Sequence, residues 1–311
     1  MVAFPGIYPP LVTPMHEDLS VDLQTLRKLV TYQVDSGVAG LWIAGATGEG
    51  QSLSADERFR ITETVIDAAA GRIKVIVHVG SLDPIAALTL ANHAEKCGAD
   101  AIASLPPFFY GVTTQEVVDY YRRLADGCGL PLFLYHLPVA THVPITPTIV
   151  EKLLDHDAVR GVKFSDPNLT MMHRIKNLAP DRLTLLFGMD SMFLAGLVMG
   201  ADGGVGGTQN YMPHAFIRIL KAHADGDLAA ARELQHRMTR FMADFSAGLS
   251  PVVFVKQAMP LLGIDCGPMR PPLSMPSADQ RRSMQRCWDK HLEWLQSLGC
   301  DPELTSTSTA V

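Results

Sequence analysis

The sequence contains no CxxC pair, no apolar run approaching the roughly 20 residues that span a bilayer, and no surplus of basic charge. Its five cysteines, Cys97, Cys128, Cys266, Cys287 and Cys300, are odd in number and scattered, which argues against a disulfide framework or a structural zinc site. With 26 Lys and Arg against 32 Asp and Glu, the formal net charge is −6. Such a balance supplies no basic surface for nucleic acid or anionic lipid. The opening MVAFPGIYPP has neither the basic n-region nor the long apolar h-region of a secretory signal. The expectation is a cytoplasmic protein that engages neither nucleic acid nor membrane. His16, His78, His93, His136 and His142 are too dispersed along the chain to suggest a metal centre, so no metal is expected.

What is present is enough apolar material for a large core: 47% of the 311 residues are hydrophobic and only 19% charged. Short β-branched or apolar runs recur between amphipathic stretches. They are GIYPPLVTP (6–14), GLWIAG (40–45), IKVIVHVG (73–80), ADAIASLP (99–106), LPLFLYHLP (130–138), VRGVKFSD (159–166), RLTLLFGMD (182–190) and DGGVGG (202–207). The intervening segments carry helix starts: Asp83-Pro84, Thr146-Pro147, and capping boxes at Ser54/Glu57 and Thr113/Glu116. Gly71 and Gly98 stand where left-handed C-caps belong. Eight strand–helix repeats predict an α/β chain folded as a (β/α)8 barrel over residues 1–225, because parallel strands need crossover helices; a doubly wound sheet is the alternative. Strand signals stop near residue 226, so 226–298 reads as C-terminal helices and 299–311 as a disordered tail.

In a barrel of this kind the site lies where strands end. Strand alternation puts Tyr135 with Phe133 on one face, opposite Leu132, Leu134 and His136, and puts Lys163 with Gly161 opposite Val162 and Phe164. If Tyr135 and Lys163 both point inward on neighbouring strands, a phenol sits beside an amine. Burial drives a lysine toward its neutral, nucleophilic form, which attacks a carbonyl to give a Schiff base, and a phenol can carry the protons. The same spacing also suits a lysine reaching out of a strand end and a tyrosine filling core. GLWIAGATGEG (40–50) ends a strand in a small-residue turn whose N–H groups can form an anion nest for a carboxylate, and Thr47 adds a hydroxyl within reach of Tyr135. Taken alone, that turn is equally a tight βα connection.

GATGEG, YHLP with a following threonine, GVKFSD, LFGMD and MGADGGVGGTQN occur in an order and spacing that resemble the pyruvate-dependent class I aldolases and lyases grouped with N-acetylneuraminate lyase and dihydrodipicolinate synthase. The likeness spans roughly residues 6–297. It implies a (β/α)8 barrel with a C-terminal helical region, a homotetramer, and no metal or organic cofactor. It makes Lys163 the Schiff-base lysine and Tyr135 the proton shuttle, and it assigns substrate contacts to Ala46, Thr47, Ser165, Gly188, Asp190, Ser191, Val205 and Gly207.

Departures from the family pattern bear on the substrate. Ala140 stands where the dihydrodipicolinate synthases carry an arginine for a second carboxylate, and Phe109 stands at the position of their interface tyrosine, with Tyr110 adjacent. The motifs resemble the sialic acid lyases most, yet Ser191 replaces a glutamate, Gly207 a serine, and Ala46 a serine or threonine. The expectation is a lyase or aldolase that acts on a 2-oxo acid, with pyruvate and an aldehyde as partners in the bond made or broken. A 2-oxo-3-deoxy sugar acid aldolase or dehydratase, a dihydrodipicolinate synthase-like enzyme and a non-catalytic metabolite-binding regulator are the alternatives.

Overall fold

The computed structural model describes residues 4–300, so the expectation of a disordered tail falls outside the described residues from 301 onward. Eight parallel strands follow one another around a barrel: β1 (Gly6–Ile7), β2 (Gly40–Ile43), β3 (Lys74–His78), β4 (Ala101–Ser104), β5 (Leu132–His136), β6 (Val159–Phe164), β7 (Thr184–Phe187) and β8 (Gly203–Gly204). β8 pairs with β1 through Gly6 and Gly203. The last gap closes where Leu11 N–H donates to Trp42 C=O at 3.0 Å and Trp42 N–H donates to Pro9 C=O at 3.1 Å. The (β/α)8 barrel expected from the repeats is therefore the observed fold.

Between and after the strands lie α1 (Leu23–Asp35), α2 (Ala55–Ala69), α3 (Pro84–Cys97), α4 (Thr114–Asp126), the single turn α5 (Pro138–Thr141), α6 (Pro147–Leu153), α7 (Leu169–Lys176), α8 (Phe193–Val198) and α9 (Pro213–Ala224). Both expected capping boxes form: the Ser54 and Thr113 hydroxyls accept from the amides of Glu57 and Glu116, whose carboxylates reach back. Gly98 takes the left-handed C-cap of α3 at φ 87°. At the end of α2 the left-handed turn begins one residue earlier than expected, with Ala70 at φ 49° followed by Gly71 at φ 70°.

Alternation along the strands separates two apolar layers. Trp42, Ile76, Ala101, Ala103, Phe133, Tyr135, Leu186 and Val205 pack inside the barrel, whereas Leu132, Leu134, Val162 and Phe164 face the helices. Gly161 is required by this arrangement, since a Cβ there would come 2.1 Å from the Phe133 ring that fills the barrel opposite it.

The C-terminal helices α10 (Leu228–Phe245), α11 (Pro251–Ala258), α12 (Ala278–Lys290) and α13 (Leu292–Ser297) share the outer core through Met238, Phe241, Phe245, Trp288 and Trp294. A buried ion pair also fastens them: Glu49, in the turn after β2, lies 2.8 Å from Lys256 of α11, with both side chains at most 1% exposed. Glu49 accepts a second bond from the Arg270 amide at 2.8 Å. Lys256→Met should destabilise the protein by at least about 3 kcal/mol in urea unfolding, because a buried carboxylate loses its counter-ion. Adding Glu49→Gln should recover part of the loss. Equal stability of Lys256→Met and the parent would show the pair contributes nothing.

Candidate active site

Five segments bring functional side chains to the C-terminal mouth of the barrel: the turn after β2, the end of β5, the end of β6, the loop after β7 and the loop after β8. Tyr135 of β5 and Lys163 of β6 are direct register partners. Both are nearly inaccessible, at 3% and 2% exposure. The Lys163 ammonium nitrogen lies 4.1 Å from the centre of the Tyr135 ring and 4.6 Å from that of Trp42. The amine thus has aromatic walls in place of water, and burial pushes its pKa down to about 7, with the charge of Asp190 opposing the shift. Burial also holds the Tyr135 phenol above its ordinary range, and the neighbouring Ser165 side chain opposes that rise.

Ser165, Gly188 and Val205 each follow a strand end, and their amides extend the sheet by one rung. They donate to His136 C=O at 2.9 Å, Phe164 C=O at 2.8 Å and Phe187 C=O at 2.9 Å. The mouth is therefore anchored by the ladder itself. Ser165 is the polar neighbour that acts on the ionisation of Tyr135, and among the described residues no hydrogen bond joins the phenol to either Ser165 or Thr47.

Asp190 opens the loop after β7, where its carboxylate accepts from the Thr208 amide at 2.8 Å. Burial pushes its pKa up to about 6, restrained by the Thr208 bonds and by Lys163. A Cβ on Gly206 would meet the Asp190 Oδ1 at 1.6 Å, so a glycine is needed there for the carboxylate to tuck in. Gly207 faces the same space, with the Thr47 hydroxyl 3.8 Å from where its Cβ would stand. Ser191 is placed apart from this cluster. It is exposed and lines a groove of about 800 Å³ with Leu169, Val198, Arg232, His236 and Arg240, between α8 and α10.

The turn after β2 is bracketed by two left-handed residues, Ala44 at φ 54° and Glu49 at φ 55°. Inside it, the Glu49 and Gly50 amides donate to the carbonyls of Ala46 and Gly45. Among the described residues, no hydrogen bond engages the amides of Ala46 or Thr47, which leaves two adjacent donors for an anion.

Two residues of this site carry no chemistry-bearing signal in the sequence. Trp42 is fully buried, its indole N–H has no partner among the described residues, and that nitrogen lies 2.8 Å from where a Gly45 Cβ would stand. It is thus an unspent donor beside the Ala46 and Thr47 amides. His78 packs edge-on to the Tyr135 ring, with centroids 6.0 Å apart. Its Nδ1 bonds Ala44 C=O at 3.1 Å and its Nε2 accepts from the Leu105 amide at 3.2 Å, so it ties the ends of β2 and β4 together. Burial and the nearby cations Arg58 and Lys163 hold His78 well below its usual range, in the neutral form that this bonding requires.

The remaining histidines divide. His136 stacks on Phe164 in the outer layer, as alternation demands. His93 departs from the reading of dispersed histidines, because helix packing brings it to Glu63 and Cys97, three potential metal ligands with donor atoms all within 4.8 Å. Their separation in sequence hid that grouping, since Glu63 comes from a different helix. Phe109 and Tyr110, in the β4–α4 loop, are 72% and 75% exposed and stack edge to face.

Comparison with known proteins follows this geometry. The profile of the dihydrodipicolinate synthetase family matches residues 3–290. The N-acetylneuraminate lyase of Rhizobium meliloti (strain 1021) is 36% identical over 293 residues, which cover 94% of this chain and 97% of that protein. Among solved structures, CdNal from Clostridium difficile in complex with mannosamine superposes with a TM-score of 0.89 at 27% identity, over 93% of this chain and 99% of the other. A prophage protein of the dihydrodipicolinic acid synthase family from E. coli K12, in complex with pyruvate, superposes at 0.88 with 26% identity, over 93% and 99%.

Proposed function

From the premise that the chain belongs to the dihydrodipicolinate synthetase family, we propose that it is a Schiff-base-forming carbon–carbon lyase of the N-acetylneuraminate lyase kind, with pyruvate as one product. The observation that carries this reading is the buried register pair of Lys163 and Tyr135, with an amine whose pKa lies near 7.

In this reading the 2-oxo acid places its carboxylate on the free amides of Ala46 and Thr47, with the Trp42 indole N–H as a further donor at the same turn. Neutral Lys163 attacks the 2-oxo carbon, and the carbinolamine loses water to give a protonated imine. Tyr135 relays the protons, taking one from the substrate hydroxyl as it passes its own to the substrate carboxylate. A concerted relay needs no free phenolate, which agrees with a phenol whose ionisation burial disfavours. When the C3–C4 bond breaks, its electron pair flows into the iminium and leaves an enamine. The C4 hydroxyl gives up its proton and departs as an aldehyde. Protonation of the enamine and hydrolysis return pyruvate and the free amine.

Asp190 favours a polyhydroxylated aldehyde end, because a carboxylate accepts hydrogen bonds from hydroxyls. A second substrate carboxylate finds no cation at Ala140, which is exposed on α5. In the same reading Val205 and Gly188, just past the strand ends, offer backbone to the substrate. A cytoplasmic homotetramer belongs to the same proposal: the exposed Leu82, Ile85, Phe109, Tyr110 and Val198, together with the groove between α8 and α10, support association with further copies.

Pyruvate release from a panel of 2-oxo acids tests the reading. Activity is expected on N-acetylneuraminate or a shorter 2-oxo-3-deoxy sugar acid, with negligible condensation of pyruvate and aspartate semialdehyde. A dehydrated 2-oxo product without pyruvate would establish a dehydratase instead, and efficient dihydrodipicolinate formation would overturn the assignment of Asp190.

A further inference from the structure

We propose that Glu63, His93 and Cys97 form a site for a borderline-soft divalent cation, zinc in the first instance, on the outer face of the barrel between α2 and α3. His93 and Cys97 are four residues apart on α3 and so share one face, while Glu63 reaches over from α2. The His93 Nε2 lies 3.4 Å from the Cys97 Sγ and 3.2 Å from the Glu63 Oε1. Ligand atoms held about 2.0–2.3 Å from a tetrahedral zinc stand about 3.3–3.8 Å apart, so these two separations are close to the edges of such a polyhedron. The Glu63 to Cys97 separation, within 4.8 Å, closes with a small side-chain adjustment at an exposed glutamate.

One proton on His93 Nε2 cannot make a separate linear hydrogen bond to both neighbours. The Nε2 atom carries at most one hydrogen, so as a donor to Glu63 it cannot accept from the Cys97 thiol, and as an acceptor from the thiol it presents a lone pair to a carboxylate. A cation at the centre removes the conflict by accepting a pair from each atom, while the thiol proton leaves for solvent and the fourth position takes water. The S, N, O donor set suits zinc or cobalt(II) better than magnesium or calcium, which prefer oxygen alone. His93 is also seated by the Phe59 ring, 4.3 Å away between centroids. Cys97 is the one cysteine of the five that is not buried, so a thiolate–metal signal from the folded protein reports this position.

The test uses the full-length protein with zinc or cobalt(II) alone, followed by competition with a chromogenic chelator and by absorbance. One equivalent per chain and a thiolate-to-cobalt charge-transfer band are expected. Cys97→Ser should abolish the band. His93→Ala and Cys97→Ser should each weaken zinc binding by at least about tenfold, and Glu63→Gln by less. Metal-free lyase activity and circular dichroism should be unchanged in all three, because the residues lie outside the barrel mouth; His93→Gln replaces His93→Ala if packing against Phe59 fails. Absence of the band, or zinc binding that survives Cys97→Ser and the His93 variants undiminished, would overturn the site whatever the fate of the lyase reading.

Discussion

Replacing Lys163 by methionine should lower turnover by on the order of 10⁴-fold or more and leave no pyruvate adduct after borohydride reduction, because the bond-forming nucleophile is gone while an apolar chain of similar length still fills its place. In the parent protein, intact mass and peptide mapping should find the reduced adduct at Lys163. Two other lysines are instructive controls. Lys74 begins β3, at the opposite end of the barrel from the mouth, with its ammonium 4.4 Å from the Phe4 ring. Lys256 is committed to Glu49. An adduct on either, or turnover that survives in Lys163→Met, would remove the basis for Schiff-base chemistry.

The pH dependence of trapping follows from the same burial. An amine at the ordinary lysine value near 10.4 would be neutral in roughly one molecule in 10³ at pH 7. Lowered to about 7, it is neutral in about half. Only the unprotonated amine attacks, so the trapping rate should rise with pH through about 7 and level off above it. Asp190→Asn removes an anion that stabilises the ammonium and should move the midpoint downward. A profile that rises only near pH 10 would show that the barrel does not depress this amine.

The pair at the centre was legible in the sequence because strands have a period of two. Tyr135 two residues after Phe133, and Lys163 two after Gly161, suffice to put phenol and amine on the inner face, and the helix start signals suffice to repeat the unit eight times. The carboxylate turn was legible as a string of small residues. What remained hidden depends on partners distant in sequence. Lys163 and Asp190 come from different strand ends, Glu49 and Lys256 are 207 residues apart, and the Glu63, His93 and Cys97 trio needs two helices in register. Trp42 reads in sequence as one more apolar residue; only its position against Gly45 makes its N–H an unspent donor. His78 likewise reads as a strand residue until its two nitrogens are found holding β2 and β4. Ser165 follows from family likeness alone, and its place beside Tyr135 is set by the sixth strand.

Tyr135→Phe should lower kcat by on the order of 10²–10⁴ while leaving the protein folded and the apparent affinity for pyruvate little changed. The ring itself is structural: it packs edge to face on Trp42 with centroids 5.5 Å apart and on His78 at 6.0 Å, and phenylalanine preserves both contacts. Only the hydroxyl is lost, and with it the proton relay at the substrate. The carboxylate turn is untouched, so the defect should fall on kcat and not on KM, and the slow step should be visible as delayed imine trapping at saturating pyruvate. Ser165→Ala should have the same direction and a smaller size, since it leaves the phenol in place and removes only a polar neighbour. If Tyr135→Phe turns over within a few-fold of the parent, the phenol is core packing and another acid is required. Tyr110 is then next in line, but it stands 75% exposed in the β4–α4 loop, so it would act by reaching a site on a neighbouring copy, and activity would then depend on protein concentration.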